Sequence, residues 1–513
     1  MGWIFQKQLM TGDAPPGSWP HASAVLHSLA ILLSFLTGSG AVRCGALAMA
    51  ADARRPNFIV VLTDDQRHDH LGVAGHPVLQ TPHIDRLAEE GTRFRNAYVV
   101  DSICSVSRAS ILSGCYPERH GIQVLDTAFE PAAFAETYPA LLQQAGYRVG
   151  HVGKWHLGVA DGGNATLFDD WRGWDGYGVH YQQTDASGQP IHLTRRHGDD
   201  AVALLKAYAK ADQPFCLNLW FLAPHNEAYN PATSDAADGY MPDPAFAELF
   251  SDWVPDRVPA YGEYYRAIPQ VLRHKNELHK RFDKRYADED VRTRVIRNYC
   301  RLIAGVDEVV GRLTAELESS GLAENTVIVF LSDNGYFQGE HGLGGKFWPH
   351  EPSVRVPMIW YDPRLPQNQR GTVRDEVALN IDVAPTLLDY AGVDWPVDSE
   401  NQGRSLRPIV EGENAEDWRT DFYYQHLYQA YGRGAVPRIP ACEGVVGGTM
   451  KYFRFLRAEH NREIEGEPPL TEHLYDLSQD PHEQQNLAGR VEYLQELQRL
   501  RKRCANLKAA AGK

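Results

Sequence analysis

Short apolar runs alternate with amphipathic segments along most of the chain. The run 57–63 is apolar on both faces, which is typical of a strand buried in a parallel sheet. Similar runs occur at 147–152, 214–222, 326–331 and 357–361. Between them, the spacing of apolar residues predicts helices at 81–91, 137–146, 199–211 and 287–320. Such repeated β-α units predict an α/β fold with a large, mostly parallel sheet sandwiched by helices.

The pattern changes after about residue 410. Aromatic-rich stretches at 422–424, 452–455 and 474–477 predict antiparallel strands, and 491–507 predicts a closing helix. We therefore expect a catalytic α/β domain at 54–410, followed at 411–513 by a small C-terminal α+β subdomain made of an antiparallel sheet and a helix.

The first fifty residues have a character of their own. The apolar run 24–36 follows Lys7 and precedes a stretch of small residues at 46–50. This order predicts a secretory signal peptide at 1–50, cleaved near Ala50, and the alternative is a membrane anchor. Because a bilayer span needs about 20 apolar residues, we expect export to a periplasmic, extracellular or lysosome-like compartment and no membrane span in the mature chain.

Composition and charge exclude several classes of protein. The chain has 51 Lys and Arg against 66 Asp and Glu, a formal net charge of −15, which argues against a nucleic-acid partner. Hydrophobic residues make up 43 %, too many for a disordered chain. The seven cysteines form no C-x-x-C pair, so neither a zinc knuckle nor a dense disulfide scaffold is indicated.

Acidic and amide side chains follow two of the predicted strands. Asp64 and Asp65 come after the first strand, and Asp333 and Asn334 after the strand at 326–331. Ligands of parallel sheets bind at the carboxyl ends of the strands, and oxygen donors suit a hard cation such as calcium or magnesium. Turn and capping roles are the alternative, which is stronger for either group alone than for the two together.

Basic side chains follow other predicted strands. Lys154 and His156 come after the strand at 147–152, His225 follows 214–222, and Lys346 lies in a glycine-rich stretch after Asp333. Each of them alone is more simply explained as a structural residue. Together, at one edge of the sheet, they predict a pocket for a small oxyanion within an otherwise acidic protein.

Cys104 lies between a loop and the predicted helical run 109–114. A cysteine at a helix N-terminus is expected to have a lowered pKa and to be reactive. A buried structural thiol is the alternative, and the polar neighbours Ser105, Ser107 and Arg108 argue against it.

The segment from Cys104 to Gly121 resembles the signature of the sulfatase family, in which C-x-P-x-R is read by a formylglycine-generating maturation enzyme that oxidises the cysteine to formylglycine. Val106 stands where that signature usually has Pro or Ala. The resemblance extends over roughly residues 56–490 in the family's order, through Asp64-Asp65-Gln66, Gly153-Lys154-Trp155-His156, Ala223-Pro224-His225, Asp333-Asn334-Gly335, Gly339-Glu340-His341-Gly342, Lys346, Arg355-Val356-Pro357, Asp382 to Leu387, and Leu474-Tyr475-Asp476-Leu477.

This resemblance implies a sulfuric ester hydrolase of the alkaline-phosphatase superfamily, acting on a sulfated carbohydrate or a small sulfate ester. It implies one calcium ion per chain. The implied metal ligands are Asp64, Asp65, Cys104 as formylglycine, Asp333 and Asn334.

The resemblance also implies a role for each catalytic residue. Hydrated formylglycine 104 would attack sulfur with Asp333 as base, and Arg108 would hold the diol. Lys154, His225 and Lys346 would bind the sulfate oxygens, and His225 or Lys346 would protonate the departing alcohol. His156 would deprotonate the second hydroxyl, which expels sulfate and regenerates the aldehyde.

Two other functions and one surface feature stay open at this point. The chain is alternatively a phosphonate or phosphate ester hydrolase of the same superfamily, or a non-catalytic binding protein for sulfated glycans if Cys104 stays a thiol. The segment 273–285 is rich in Lys and Arg. It is either a solvated face or a basic flank of the active-site mouth that attracts a polyanionic glycan.

Overall fold

The computed structural model describes residues 55–125, 127–159, 164–174, 179–227, 239–396, 401–413, 415–428, 439–459 and 462–512. The predicted signal peptide lies outside these residues, so its cleavage stays a prediction. Among the described residues, no helix combines the length and apolar character needed to cross a membrane.

An eight-stranded sheet forms the centre of the fold and confirms the predicted α/β class. Seven of its strands run in one direction and Met358–Tyr361 runs antiparallel to its neighbours. From edge to edge the order is Thr372–Arg374, Thr92–Phe94, Met358–Tyr361, Thr326–Ser332, Asn57–Asp64, Phe215–Pro224, Arg148–Lys154 and Asp170–Trp174.

The central strand Asn57–Asp64 shows why these apolar runs form a sheet covered on both sides. Phe58, Val60 and Leu62 belong to the hydrophobic cluster on one face, whereas Ile59 and Val61 belong to the cluster on the other. Successive side chains of a strand point to opposite faces, so a run that is apolar throughout is buried only between two layers.

Helices cover both faces, and the predicted helices are present with shifted ends. The predicted helix at 199–211 begins earlier, at Leu193, where the His192 side chain accepts a hydrogen bond from the Thr194 amide. The long helix is capped by Asp288, whose carboxylate accepts from two amides of the first turn. The main helices are Pro82–Glu89, Cys104–Ser113, Tyr138–Gln144, Leu193–Tyr208, Glu277–Arg285, Glu289–Ser319, Val383–Ala391 and Leu494–Ala511.

The C-terminal region is the predicted antiparallel sheet with a closing helix. Its strand order is Phe422–His426, Cys442–Val446, Met450–Phe455 and Thr471–Asp476. The strand Cys442–Val446 escaped prediction because Gly444 interrupts its short apolar pattern. Residues of this sheet share a hydrophobic cluster with the larger part of the fold, as in the contact of the Tyr98 and Phe422 rings. The boundary at 410 stays a prediction.

Short elements complete the architecture. Two-stranded pairs join Ala97–Tyr98 to Ala378–Leu379, Ala128–Phe129 to Gly158–Val159, Gln182–Thr184 to Pro190–His192, Phe337–Gln338 to Gly344–Gly345, and Ala458–Glu459 to Arg462–Glu463. Short α-helices are Pro117–His120, Pro131–Ala135, Gln270–Arg273, Glu351–Val354 and Arg407–Val410. The 3-10 turns are Gly72–Ala74, Asn164–Leu167, Pro244–Phe246, Gly262–Ala267, Ala323–Asn325, Glu340–Gly342, Gln367–Gln369, Asn380–Asp382 and Val491–Tyr493.

Candidate active site

Four neighbouring strands of the central sheet end at the candidate site. Asp64 and Lys154 are the last residues of their strands, while Asp333 and His225 directly follow theirs. These strands are adjacent in the sheet and parallel, so their carboxyl ends lie at one edge. The structure therefore brings together the acidic and the basic residues that follow the predicted strands.

Arg108 lies in the middle of this edge, fully buried, on the helix Cys104–Ser113. Its Nε donates to Asp333 Oδ2 at 2.9 Å, and its Nη2 is 3.1 Å from Asp64 Oδ2. Its Nη1 donates to the Lys154 carbonyl oxygen at 2.7 Å. The guanidinium thus ties together the ends of three strands. In this structure its contacts are with two carboxylates and a carbonyl, and the expected contact with a diol at position 104 is untested.

Lys346 connects the cysteine to the acidic and amide residues. Its Nζ is 2.7 Å from Cys104 Sγ, 2.5 Å from Asp65 Oδ1 and 3.1 Å from Asn334 Oδ1. Asn334 Nδ2 also donates to Asp65 Oδ1 at 2.5 Å. Lys154 forms a second cationic contact, an ion pair with Asp64 Oδ2. Position 104, two lysines and the oxygen donors therefore form one continuous network.

The oxygen donors fit a hard divalent cation. Asp64 Oδ1 is buried and accepts no hydrogen bond, and Lys346 Nζ lies 3.9 Å from it. One potential ligand atom from each of Asp64, Asp65, Cys104 and His225 lies within 4.8 Å of the others. Asp333 adjoins this group, because its Oδ1 accepts from the Asp65 amide at 3.2 Å. A buried carboxylate oxygen without a partner is costly, and a bound cation would remove that cost.

The two acids that contact Arg108 have opposite electrostatic character. For Asp64, burial raises the pKa, but nearby cations, Lys154 foremost, outweigh burial and hold the pKa well below its ordinary value. For Asp333, burial and the charge of Asp64 raise the pKa to about 6. The two carboxylates share one site, so Asp64 is the permanent anion and Asp333 is closer to proton exchange at neutral pH.

Two histidines border the site in their neutral forms. Burial lowers the pKa of His225 to about 4, and its Nε2 lies 3.5 Å from Asp65 Oδ2. Burial and the charge of Lys154 hold the pKa of His156 well below its ordinary value. Lys346 is the opposite case, because its carboxylate neighbours outweigh burial and raise its pKa. His341 lies apart from this site, with its ring against His350.

The expectation of an acidic, reactive Cys104 thiol is wrong for this structure. Cys104 is the first residue of its helix, as expected, but it is 4 % exposed and its polar neighbours are buried with it. Burial and the negative charge of Asp64 outweigh Lys346 and raise the pKa of the thiol to about 12. Desolvation therefore overrides the helix N-terminus, and the unmodified side chain is a protonated thiol at neutral pH.

A cavity of about 360 Å³ opens onto these residues. Cys104, Lys154, His156, His225 and Lys346 all line it. Other residues that line the cavity, including Trp174, Tyr336 and Phe347, were not predicted as site residues. Tyr336 and Phe347 directly follow predicted motifs, so their position in the sequence could have indicated them. No feature of the sequence indicates Trp174. The fold and the site together define an α/β protein with a pocket lined by cationic side chains at the carboxyl end of its sheet.

Comparisons with known proteins make the assignment specific. The sulfatase family model matches residues 56–393, and the model for the C-terminal region of N-sulphoglucosamine sulphohydrolase matches 339–510. The chain belongs to the sulfatase family, and its enzyme class is that of a sulfuric ester hydrolase.

Three known proteins illustrate the similarity. The chain is 31 % identical to an N-acetylglucosamine-6-O-sulfatase of Bacteroides thetaiotaomicron, over 86 % of this chain and 84 % of that protein. It is 26 % identical to the human N-acetylglucosamine-6-sulfatase, over 91 % of this chain and 86 % of that protein. Among solved structures, BT4656 in complex with its substrate D-glucosamine-2-N,6-O-disulfate superposes with a TM-score of 0.70 at 26 % identity, covering 89 % of this chain and 98 % of that one.

Proposed function

We propose that this chain hydrolyses the sulfate ester of a sulfated carbohydrate, using a formylglycine formed from Cys104 and one bound calcium ion. The observation that supports this most directly is the contact of Lys346 Nζ with Cys104 Sγ and with the oxygens of Asp65 and Asn334. It places the modifiable residue beside the oxygen donors and beside a cation suited to sulfate. The relatives named for glucosamine sulfates support a sugar substrate.

Asp64, Asp65, Asp333 and Asn334 would hold the calcium ion, together with the modified residue 104. Bound there, the ion and the hydrated aldehyde supply a nucleophile at neutral pH and polarise the sulfate group. Arg108 contributes by fixing the positions of Asp64 and Asp333 through buried, charge-assisted hydrogen bonds. Asp64 Oδ1 accepts no hydrogen bond, so contact with the ion would stabilise this oxygen.

Lys154 and Lys346 would bind the sulfate oxygens, since both ammonium groups line the cavity at Cys104. Lys346, whose pKa is raised, is protonated before the reaction and would neutralise developing negative charge. His225 or Lys346 would pass a proton to the leaving alcohol, and His225 would first have to take up a proton, because burial lowers its pKa to about 4. His156, neutral because of burial, is suited to accept a proton at residue 104 after the first step.

The cavity also fits a sugar ring next to the sulfate. Besides its charged residues it is lined by Leu125, Trp174, Val179 and Leu222. Pockets for small organic ligands combine apolar or aromatic walls with a few well-placed polar groups. An aryl or sugar residue bound there would keep its sulfate at position 104.

A two-part experiment tests the proposal. The purified enzyme, produced with a formylglycine-generating enzyme, should show the mass change of cysteine oxidation on the peptide containing residue 104. The same preparation should release sulfate from N-acetylglucosamine 6-sulfate, and both the mass change and the activity should be absent in Cys104→Ala. Full activity of a preparation with an unmodified thiol would contradict the mechanism.

A phosphonate or phosphate ester hydrolase is the second candidate. It is favoured by 27 % identity, over 86 % of this chain and 92 % of the relative, to a multifunctional alkaline phosphatase superfamily protein, PehA, of Trinickia caryophylli. The same pocket of cations would bind either oxyanion. Turnover of 4-nitrophenyl sulfate compared with 4-nitrophenyl phosphate and a phosphonate monoester separates the two, and a preference for the phosphorus esters would replace our first proposal.

A further inference from the structure

Helix Glu277–Arg285, called the basic helix below, forms one wall of the active-site cavity. Lys280, Arg281, Lys284 and Arg285 all line that cavity. Residues four apart lie on the same face of a helix, so these four side chains form two adjacent rows on the face toward the site. Of the two interpretations of 273–285, a solvated face or a basic flank, the cavity lining favours a flank for the part within this helix, and Lys275 is not among the residues that line the cavity.

The basic helix is fixed directly against the segment that contains Lys346. Its Leu278 and Phe282 are buried, and the Asn276 side chain accepts hydrogen bonds from the amides of its first turn. A side-chain carbon at Gly344 would lie only 3.1 Å from the helix backbone at Arg281 and Phe282. This close packing sets the distance between the cations of the helix and the sulfate-binding lysine.

Aromatic and polar neighbours hold the two arginines in place. The Arg281 guanidinium lies 5.6 Å from the ring centre of Phe347, the residue after Lys346. Arg285 Nη1 donates to the Tyr336 hydroxyl at 2.7 Å. Lys280 and Lys284 are exposed on the same face, and their flexible chains reach beyond this ordered layer. The wall thus combines positioned guanidiniums with two adaptable ammonium groups.

The positive charge of the cavity exceeds what one sulfate ester requires. Its described lining contains six Lys or Arg and three Asp or Glu, in a chain of net charge −15. One sulfate ester has a single negative charge, and Lys154 and Lys346 already flank the position where it would bind. Within the helix, Arg281 is paired with Glu277, whose Oε1 lies 3.6 Å from its Nε. Like charges four residues apart destabilise a helix, so Lys280 and Lys284 repel one another at a cost that a bound anion would reduce.

We propose that the basic helix is a subsite for a second anionic group of the substrate, a sulfate or a carboxylate on the same or an adjoining sugar. This rests on the proposed function, because the first sulfate is taken to bind at residue 104. The enzyme then selects multiply anionic sugars by contact with Lys280 and Lys284. A contact subsite differs from long-range attraction of the substrate. Any nearby surface lysine contributes to such attraction, and salt screens it.

The test compares matched substrates on the intact, converted enzyme. The variant Lys280→Gln/Lys284→Gln should lower kcat/KM for glucosamine 2-N,6-O-disulfate at least tenfold, and should change kcat/KM for N-acetylglucosamine 6-sulfate and 4-nitrophenyl sulfate less than twofold. A substrate in which a uronic acid carboxylate replaces the second sulfate distinguishes the two kinds of anion. The loss on the disulfate should persist at about 0.5 M salt, where steering over long distances is screened.

The control variant Lys210→Gln/Lys275→Gln removes the same charge from exposed positions outside the cavity lining. It should leave all three substrates unchanged. Equal losses on every substrate, an equal loss in the control, or a loss that disappears in salt would each overturn the contact subsite.

A binding measurement separates this inference from the proposed chemistry. In the inactive Cys104→Ala background, calorimetric titration with glucosamine 2-N,6-O-disulfate should give a dissociation constant that rises at least fivefold on Lys280→Gln/Lys284→Gln. If the enzyme shows no sulfatase activity but this shift is present, the subsite stands and the proposed reaction fails. If sulfatase activity is present but the shift is absent, the subsite fails alone.

Discussion

Two buried clusters of charged side chains differ in how closely their carboxylate oxygens are paired and in whether they border the active-site cavity. In the candidate-site cluster, Arg108, Lys154 and Lys346 contact Asp64, Asp65 and Asp333, yet Asp64 Oδ1 accepts no hydrogen bond and lies 3.9 Å from Lys346 Nζ. In the second, called the Lys451 cluster, Lys451 Nζ lies 2.9 Å from Glu351 Oε1 and 2.8 Å from Glu483 Oε1. The candidate-site cluster borders the 360 Å³ cavity, and neither Lys451 nor Glu483 does.

The two carboxyl groups that contact Lys451 have different pKa values. For Glu351, the charge of Lys451 outweighs burial and lowers the pKa, whereas for Glu483 burial outweighs Lys451 and raises the pKa. One ionised acid therefore balances one lysine. Burial of charge alone therefore does not mark a site. The candidate site differs because a buried carboxylate oxygen, Asp64 Oδ1, lies 3.9 Å from Lys346 Nζ, whereas Glu483 Oε1 has its ion-pair partner at 2.8 Å, and because its cluster borders the 360 Å³ cavity.

The largest effect is expected when the side chain of residue 104, the proposed nucleophile, is removed. Cys104→Ala should lower kcat for aryl sulfate hydrolysis more than about a thousandfold, because the nucleophile is lost, with little change in Tm. Cys216→Ala removes a buried thiol from the central sheet and is the matched control. It should keep kcat, measured per folded enzyme, while lowering Tm. Substantial activity in Cys104→Ala would assign the nucleophile elsewhere.

Neutralising the partly unpaired acid should remove the metal. Elemental analysis should find about one calcium per chain in the native enzyme and none in Asp64→Asn, which should also have a kcat lower by about a hundredfold or more. Chelation of the native enzyme should do the same reversibly. Asp382→Asn changes another fully buried carboxylate, one paired with Arg419, and should retain the calcium. An active Asp64→Asn enzyme without calcium would refute the metal assignment.

Breaking the Lys451 cluster should affect stability and leave chemistry unchanged. Lys451→Met removes the buried cation that contacts both Glu351 and Glu483, so the free energy of unfolding should fall by about 3–5 kcal/mol in denaturant titrations. The kcat of the remaining folded enzyme should equal that of the native chain. Lys206→Met, at a pair 62 % exposed on the lysine side, should cost less than about 1 kcal/mol. A selective loss of kcat in Lys451→Met would place this cluster in the mechanism.

The smallest expected effect concerns maturation. Val106→Ala restores a residue type usual in the sulfatase signature and should raise the fraction of chains with formylglycine, measured by intact mass, up to a few-fold. Val106 is fully buried, so the change should also cost about 2 kcal/mol of stability. Val106→Ile is a control that keeps the branched side chain and should not raise conversion. An unchanged fraction in Val106→Ala would show that Val106 does not limit maturation.

The sequence located the buried strands and most of the residues at their ends, because both depend on local order along the chain. Runs that are apolar on both faces, such as Asn57–Asp64, are compatible with a central strand covered on two sides. Two strands on one side of the sheet were missed, since Thr92–Phe94 and the edge strand Thr372–Arg374 are short and partly polar. Their strand form depends on pairing with neighbours that lie far away in sequence.

By itself, the sequence determined the α/β class, the sulfatase motifs and the identities of the candidate site residues, since these depend on periodicity and on the order of short motifs. Tertiary structure decided how those residues act on one another. The thiol of Cys104 has a raised pKa because packing removes water around it and places Asp64 nearby. Neither effect can be deduced from the residues next to Cys104 in the sequence. The basic helix likewise forms a wall of the cavity because it packs against Gly344 and Gly345, which lie about 60 residues farther along the chain. Desolvation and charge proximity act through space, so only the folded chain sets them.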